Sequence, residues 1–192
     1  MTANNPTIAR RRLFLVSAAL VAIAAWLPYW GFVMSAPQYP DESLMLLVSH
    51  DGIGGDVHEV ETLQQYIGVR FPERLPELDW LPLAMVTLAA VLALAAFAGP
   101  GPRGRLVRRS SIGLFAVLLI AAAATVQRRL YSVGHDRNHH APITAVKDFT
   151  PRLFGPTKVG NFTVWSFPHV GGVALIAAMT LAVAGARRKE LP

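Results

Sequence analysis

The chain has 192 residues, no cysteine and a formal net charge of +6, with 53% hydrophobic and 16% charged residues. The missing cysteine excludes a structural disulfide, a thiolate metal site, an iron–sulfur cluster and covalently attached haem. The positive charge is not a nucleic-acid signature, because it collects beside apolar runs and no polar segment offers a basic face.

Four apolar runs free of charge divide the chain, at residues 13–34, 80–98, 112–126 and 170–186. A helical span needs about 20 apolar residues, so each run is long enough, or nearly so, to cross a bilayer. The expected fold is therefore an all-α membrane protein with four transmembrane helices. What is left forms two extramembrane segments of about 45 residues each, too small for a large soluble catalytic domain.

In chain order, residues 1–12 end in Arg10, Arg11 and Arg12. Arg11-Arg12-Leu13-Phe14-Leu15 fits the twin-arginine export pattern ahead of an apolar run. The plainer alternative is an uncleaved first span, residues 13–34, with a positive inner flank. Met34-Ser35-Ala36 followed by Pro37 is a poor cleavage site, and the run exceeds a usual signal core, which favours the uncleaved helix.

Residues 35–79 carry nine acids against Arg70 and Arg74. Residues 44–49 read as a strand, and Asp51-Gly52-Ile53-Gly54-Gly55 supplies turn chemistry after it. Asp56 with Glu59 resembles a capping box. Val57, Val60, Leu63 and Ile67 follow at helical spacing, with Gly68 as the stop. The expected result is a short amphipathic helix whose apolar face needs a partner.

After the second span, residues 99–111 hold Arg103, Arg105, Arg108 and Arg109 and no acid. With the basic ends of the chain they place both termini and this loop in the cytoplasm. The third span, residues 112–126, is the shortest, and Arg128 and Arg129 follow it on the outer side, where snorkelling could accommodate them. Residues 127–169 contain Pro142, Pro151, Pro156 and Pro168 and read as an extended loop across the outer face. Asn161-Phe162-Thr163 also fits a glycosylation acceptor, a tripeptide common by chance. The fourth span, residues 170–186, leads to the basic end, residues 187–192.

All six histidines, His50, His58, His135, His139, His140 and His169, fall in the outer segments. Imidazole is the commonest metal-ligand side chain. With Met34 and Met45 nearby it would suit Cu(I), and His135, His139, His140 and His58 are the candidate ligands. The bland alternative is surface histidines, since no established ligand spacing is present. Haem between helices lacks the histidines within spans that such a site uses. Ion transport lacks ionisable residues in the span cores. No hydrolase motif stands out.

Several stretches resemble a family of small membrane proteins associated with nitrous-oxide reductase genes. They are Ser35-Ala36-Pro37-Gln38-Tyr39-Pro40, Gly55-Asp56-Val57-His58-Glu59-Val60 and LQQYIGV at residues 63–69. In the second outer segment they are Gly134-His135, Ala141-Pro142-Ile143, Phe149-Thr150-Pro151, Gly155 and Asn161-Phe162-Thr163. The resemblance covers both outer segments, less than half of the chain. It implies a role beside a periplasmic copper enzyme: maturation, copper supply or electron delivery. The chain departs from that family at Gln65 and Val69, where it has histidine and methionine, and at Asn138-His139, where it has Asp-Pro. The departures favour the shared architecture over a shared ligand set.

The reading from sequence is a non-enzymatic accessory protein. It sits in lipid and docks another membrane or periplasmic protein through its outer face, with Asp56, Glu59, Tyr66, Phe149, Asn161 and Phe162 as contact candidates. The alternative is a structural subunit of a larger respiratory or transport complex with no metal of its own.

Overall fold

A computed structural model of the chain describes residues 6–36, 39–61, 68, 74–136 and 148–188. The architecture is mixed helix and sheet, which corrects the all-α expectation. Helix α1 is Pro6–Ala24, and strands β1 (Trp30–Ala36), β2 (Tyr39–Ser49) and β3 (Gly52–Gly55) follow. A 3₁₀ turn at Pro76–Leu78 leads into α2 (Leu81–Ala96) and then α3 (Pro102–His135). Strands β4 (Gly155–Val159) and β5 (Phe162–Pro168) precede α4 (Val170–Arg187). Among the described residues, three helical stretches are long and apolar enough to cross a membrane: Pro76–Ala96, Pro102–His135 and Val170–Arg187.

The chain divides into two compact units. The helical one comprises Met1–Leu27, Trp80–Ala121 and Gly171–Pro192, and the sheet unit comprises Pro28–Asp79 and Ala122–Val170.

In the helical unit, α1 packs along α2. Phe14, Val21, Met85, Leu88, Leu92 and Phe115 are buried with almost no exposed surface. Small residues bring α1 and α4 together. A Cβ added to Gly185 would lie 3.0 Å from the Phe14 ring, and Ser17 Oγ donates to the Ala178 carbonyl at 2.8 Å. That bond satisfies a fully buried hydroxyl.

The first apolar run divides at Leu27-Pro28. Proline lacks the N–H that a continuing helix needs, and beyond it β1 is the central strand of the sheet. The sheet is antiparallel, in the order β3-β2-β1-β5-β4. Trp30, Phe32 and Met34 of β1 lie opposite Val48, Leu46 and Leu44 of β2 and point to one face. Phe32, Leu46 and Val48 with Val60 and Leu130 form the main core of this unit, and Trp30 and Leu44 pack against it. Burying each such side chain stabilises the fold by about 1.5–3 kcal/mol.

The second outer segment is not one extended loop. Pro156 sits in β4, an edge strand, where a sheet tolerates a missing N–H, and Pro168 is the last residue of β5. Gly160-Asn161 turns β4 into β5, with Gly160 at φ +58°, as a two-residue hairpin opening on glycine requires. The expected strand at residues 44–49 falls within the longer β2.

The shortest apolar run lies inside the longest helix. At 1.5 Å per residue, the 34 residues of α3 extend about 50 Å. Its charge-free portion, residues 110–127, covers about 27 Å, close to the hydrocarbon thickness of a bilayer. Arg129 continues the helix and pairs with Glu77 of the 3₁₀ turn at 3.5 Å.

Candidate functional site

Three features of the sheet unit could carry function. The first is an apolar cavity of about 30 Å³ between the core face of the sheet, Leu130 of α3 and the segment Phe149–Pro151. That segment is strapped to the helix by the Phe149 N–H, which donates to the Gly134 carbonyl at 3.3 Å. The amide of Gln127 donates to the Pro151 carbonyl at 3.5 Å. Gly134 permits this approach, because a Cβ there would fall on the Phe149 carbonyl oxygen. Its lining is wholly apolar, from side chains that include Phe32, Leu46, Leu130, Phe149, Val159 and Phe162.

The second feature is one end of the sheet, where Tyr29, His50 and His169 flank β1, β2 and β5. The Tyr29 N–H donates to the Val48 carbonyl at 2.7 Å, and the His169 N–H donates to the Tyr29 carbonyl at 3.1 Å. Burial, with the Asp51 carboxylate adding to it, pushes the Tyr29 phenol up to about 12. His50 Nδ1 lies 3.7 Å from an Asp51 oxygen. His169 Nδ1 is buried with no hydrogen-bond partner among the described residues. The sequence hides this grouping, since only the register of the sheet brings the three positions together.

The third feature is the face of the sheet opposite the core. Val33 of β1 stands between Met45 of β2 and Trp165 of β5, and Gly31 stands between Leu47 and Phe167. The Phe167 ring lies over Gly31, 3.0 Å from where a Cβ would be. Trp165 is 51% exposed.

The residues expected to bind metal are distributed differently. His135 ends α3, with its ring stacked on Tyr131 at 3.9 Å and Nδ1 2.9 Å from the Tyr131 carbonyl oxygen. His58 is exposed in the helical turn at residues 57–61, while His139 and His140 lie outside the described residues. Among the described residues, no group of three or more His, Cys, Asp or Glu could hold a metal ion.

Among the contact candidates, Asp56 has a local task. Its carboxylate accepts from the Met45 N–H at 2.8 Å, tying the start of the turn to β2. Glu59 is exposed and Tyr66 lies outside the described residues. Phe149 and Phe162 come together, both packed on the buried pair Val133 and Val159. Asn161 is exposed at the hairpin tip.

The class that emerges is a protein with three helices able to cross a membrane and an antiparallel sheet unit assembled from the segments between them. No family model, curated protein or solved structure matches the chain.

Proposed function

We propose that the protein is a membrane accessory protein, spanning the bilayer four times with both termini cytoplasmic, whose sheet unit docks a partner at the extracytoplasmic side. The fourth span in this reading is α1. It is 19 residues long and carries Arg10–Arg12 after its first four residues; the apolar stretch that follows, residues 13–24, extends about 18 Å, so the helix spans only with the arginines snorkelling to the inner surface. The observation that carries the docking reading is the outward sheet face. An exposed tryptophan among Val33, Met45, Leu47 and Phe167 is the composition of an interface centre, where aromatic anchors dominate.

The resemblance of the two outer segments supports nitrous-oxide reduction as the process: maturation of, copper supply to, or electron delivery to the reductase. Docking is the part this chain's own residues support.

The test is co-purification of nitrous-oxide reductase with the tagged protein, native or carrying Trp165→Ser. Loss of a tryptophan anchor lowers binding by about 30-fold or more. The reading requires the reductase to co-purify with the native protein and to be lost with the variant. Equal recovery with both would contradict docking through this face. No recovery with either would contradict the reductase as partner.

A further inference from the structure

We infer that the arginine-rich end of the helical unit binds the phosphate headgroup of an anionic phospholipid. Three basic segments far apart in sequence meet at this end. The Arg11 guanidinium sits 3.8 Å over the ring of Phe97, the C-cap residue of α2, so the start of α1 lies at the end of α2. Arg108 of α3 donates to the Ala98 and Gly99 carbonyls at 3.0 and 3.3 Å, which places the first turns of α3 there too. Leu13 and Phe14 of α1 contact Gly185 of α4, which brings Arg187 to the same end.

The charge is one-sided. The stretches forming the helical unit hold Arg10–Arg12, Arg103, Arg105, Arg108, Arg109, Arg187, Arg188 and Lys189 against a single acid, Glu190. Arg10 and Arg108 are buried, and Arg108 completes the end of α2 by taking up carbonyls that have no partner within the helix. Arg11, Arg12, Arg103, Arg105, Arg109, Arg187 and Arg188 are exposed.

Like charges collected at one end of a unit with a single acid repel one another, and an anion relieves the repulsion. Guanidinium groups match a phosphate in charge and in bidentate geometry. A lipid is favoured over free phosphate by the exposed apolar side chains that neighbour the arginines in the chain. Leu106, next to Arg105, is 66% exposed, and Ile8, two positions before Arg10, is 51% exposed. A phospholipid offers a phosphate to the arginines and an acyl chain to these apolar side chains, and basic clusters beside spans attract anionic lipid.

The experiment compares purified full-length protein in nanodiscs of phosphatidylglycerol and of phosphatidylcholine, reading the thermal midpoint, with lipid retained through detergent purification read by mass spectrometry. The native protein is expected to melt higher in phosphatidylglycerol and to retain anionic lipid. The exposed-site variant Arg103→Gln/Arg105→Gln/Arg109→Gln is expected to lose most of that difference and to retain about tenfold less anionic lipid, with its midpoint in phosphatidylcholine unchanged. If that variant does not fold, Arg187→Gln/Arg188→Gln makes the same comparison from α4. Equal native midpoints in the two lipids would overturn the inference. So would variants that keep the native difference, or inorganic phosphate reproducing the phosphatidylglycerol shift in phosphatidylcholine discs.

Discussion

Ser166 links two strands and a loop inside the sheet unit. It accepts the Trp30 indole N–H at 2.7 Å and donates to the Leu153 carbonyl at 2.8 Å, at 3% exposure. Ser166→Ala removes both bonds at once and leaves a half-buried donor, the Trp30 indole N–H, and a half-buried acceptor, the Leu153 carbonyl, unmatched. The expected cost is about 1–3 kcal/mol for each group stranded. Denaturant titration of the purified variant against the native protein, followed by tryptophan fluorescence, checks it. Tyr29 gives a pH signature. Its folded pKa is raised from 10.0 to about 12, so the unfolded chain releases the phenolic proton first as pH rises. The stability contribution is present below pH 10 and is lost as pH climbs from 10 towards 12. Tyr29→Phe should reduce the fall in unfolding midpoint across that window. An unchanged pH profile in the variant would contradict the assignment.

At the scale of elements, the last turns of α3 hold the sheet unit together. Leu130 enters the main core and Val133 the smaller one, while Gly134 admits the Phe149 backbone. Gly134→Ala should displace the Phe149–Pro151 strap and destabilise the sheet unit by about 1–3 kcal/mol, in the range for overpacking a close contact. Faster hydrogen exchange at the Phe149 amide than in the native protein is the readout. The boundaries of these elements were partly legible. The charge-free runs located α2, α4 and the middle of α3. Residues 13–34 read as one helix because β1 is a central strand buried on its core face, and a continuous apolar strand has the hydropathy of a helix segment. The four prolines of residues 127–169 read as breakers because sequence does not reveal an edge strand, where Pro156 is harmless. Among site residues, Phe149 and Phe162 were legible only as candidates for an outer contact; their packing on the same buried pair, Val133 and Val159, had no signal in the sequence. The grouping of Tyr29, His50 and His169 had no local signal, because register alone creates it.

At the scale of the molecule, charge is sorted between the units. The sheet unit's stretches hold eleven of the twelve acids, and the helical unit's hold ten of the eighteen Lys and Arg residues. Such sorting suits a chain whose basic end stays inside while its acidic segments face outside. The docking reading depends on that orientation, since a partner enzyme outside the cytoplasm reaches the sheet only from there. The chain has no cysteine, so single cysteines introduced at exposed positions report sidedness without background. The decisive measurement is labelling of Lys158→Cys and Arg105→Cys in intact cells with a membrane-impermeant maleimide. The account predicts that position 158, in edge strand β4, is labelled in intact cells, and position 105, at the start of α3, only after permeabilisation. The reverse pattern, or labelling of both positions in intact cells, would contradict it.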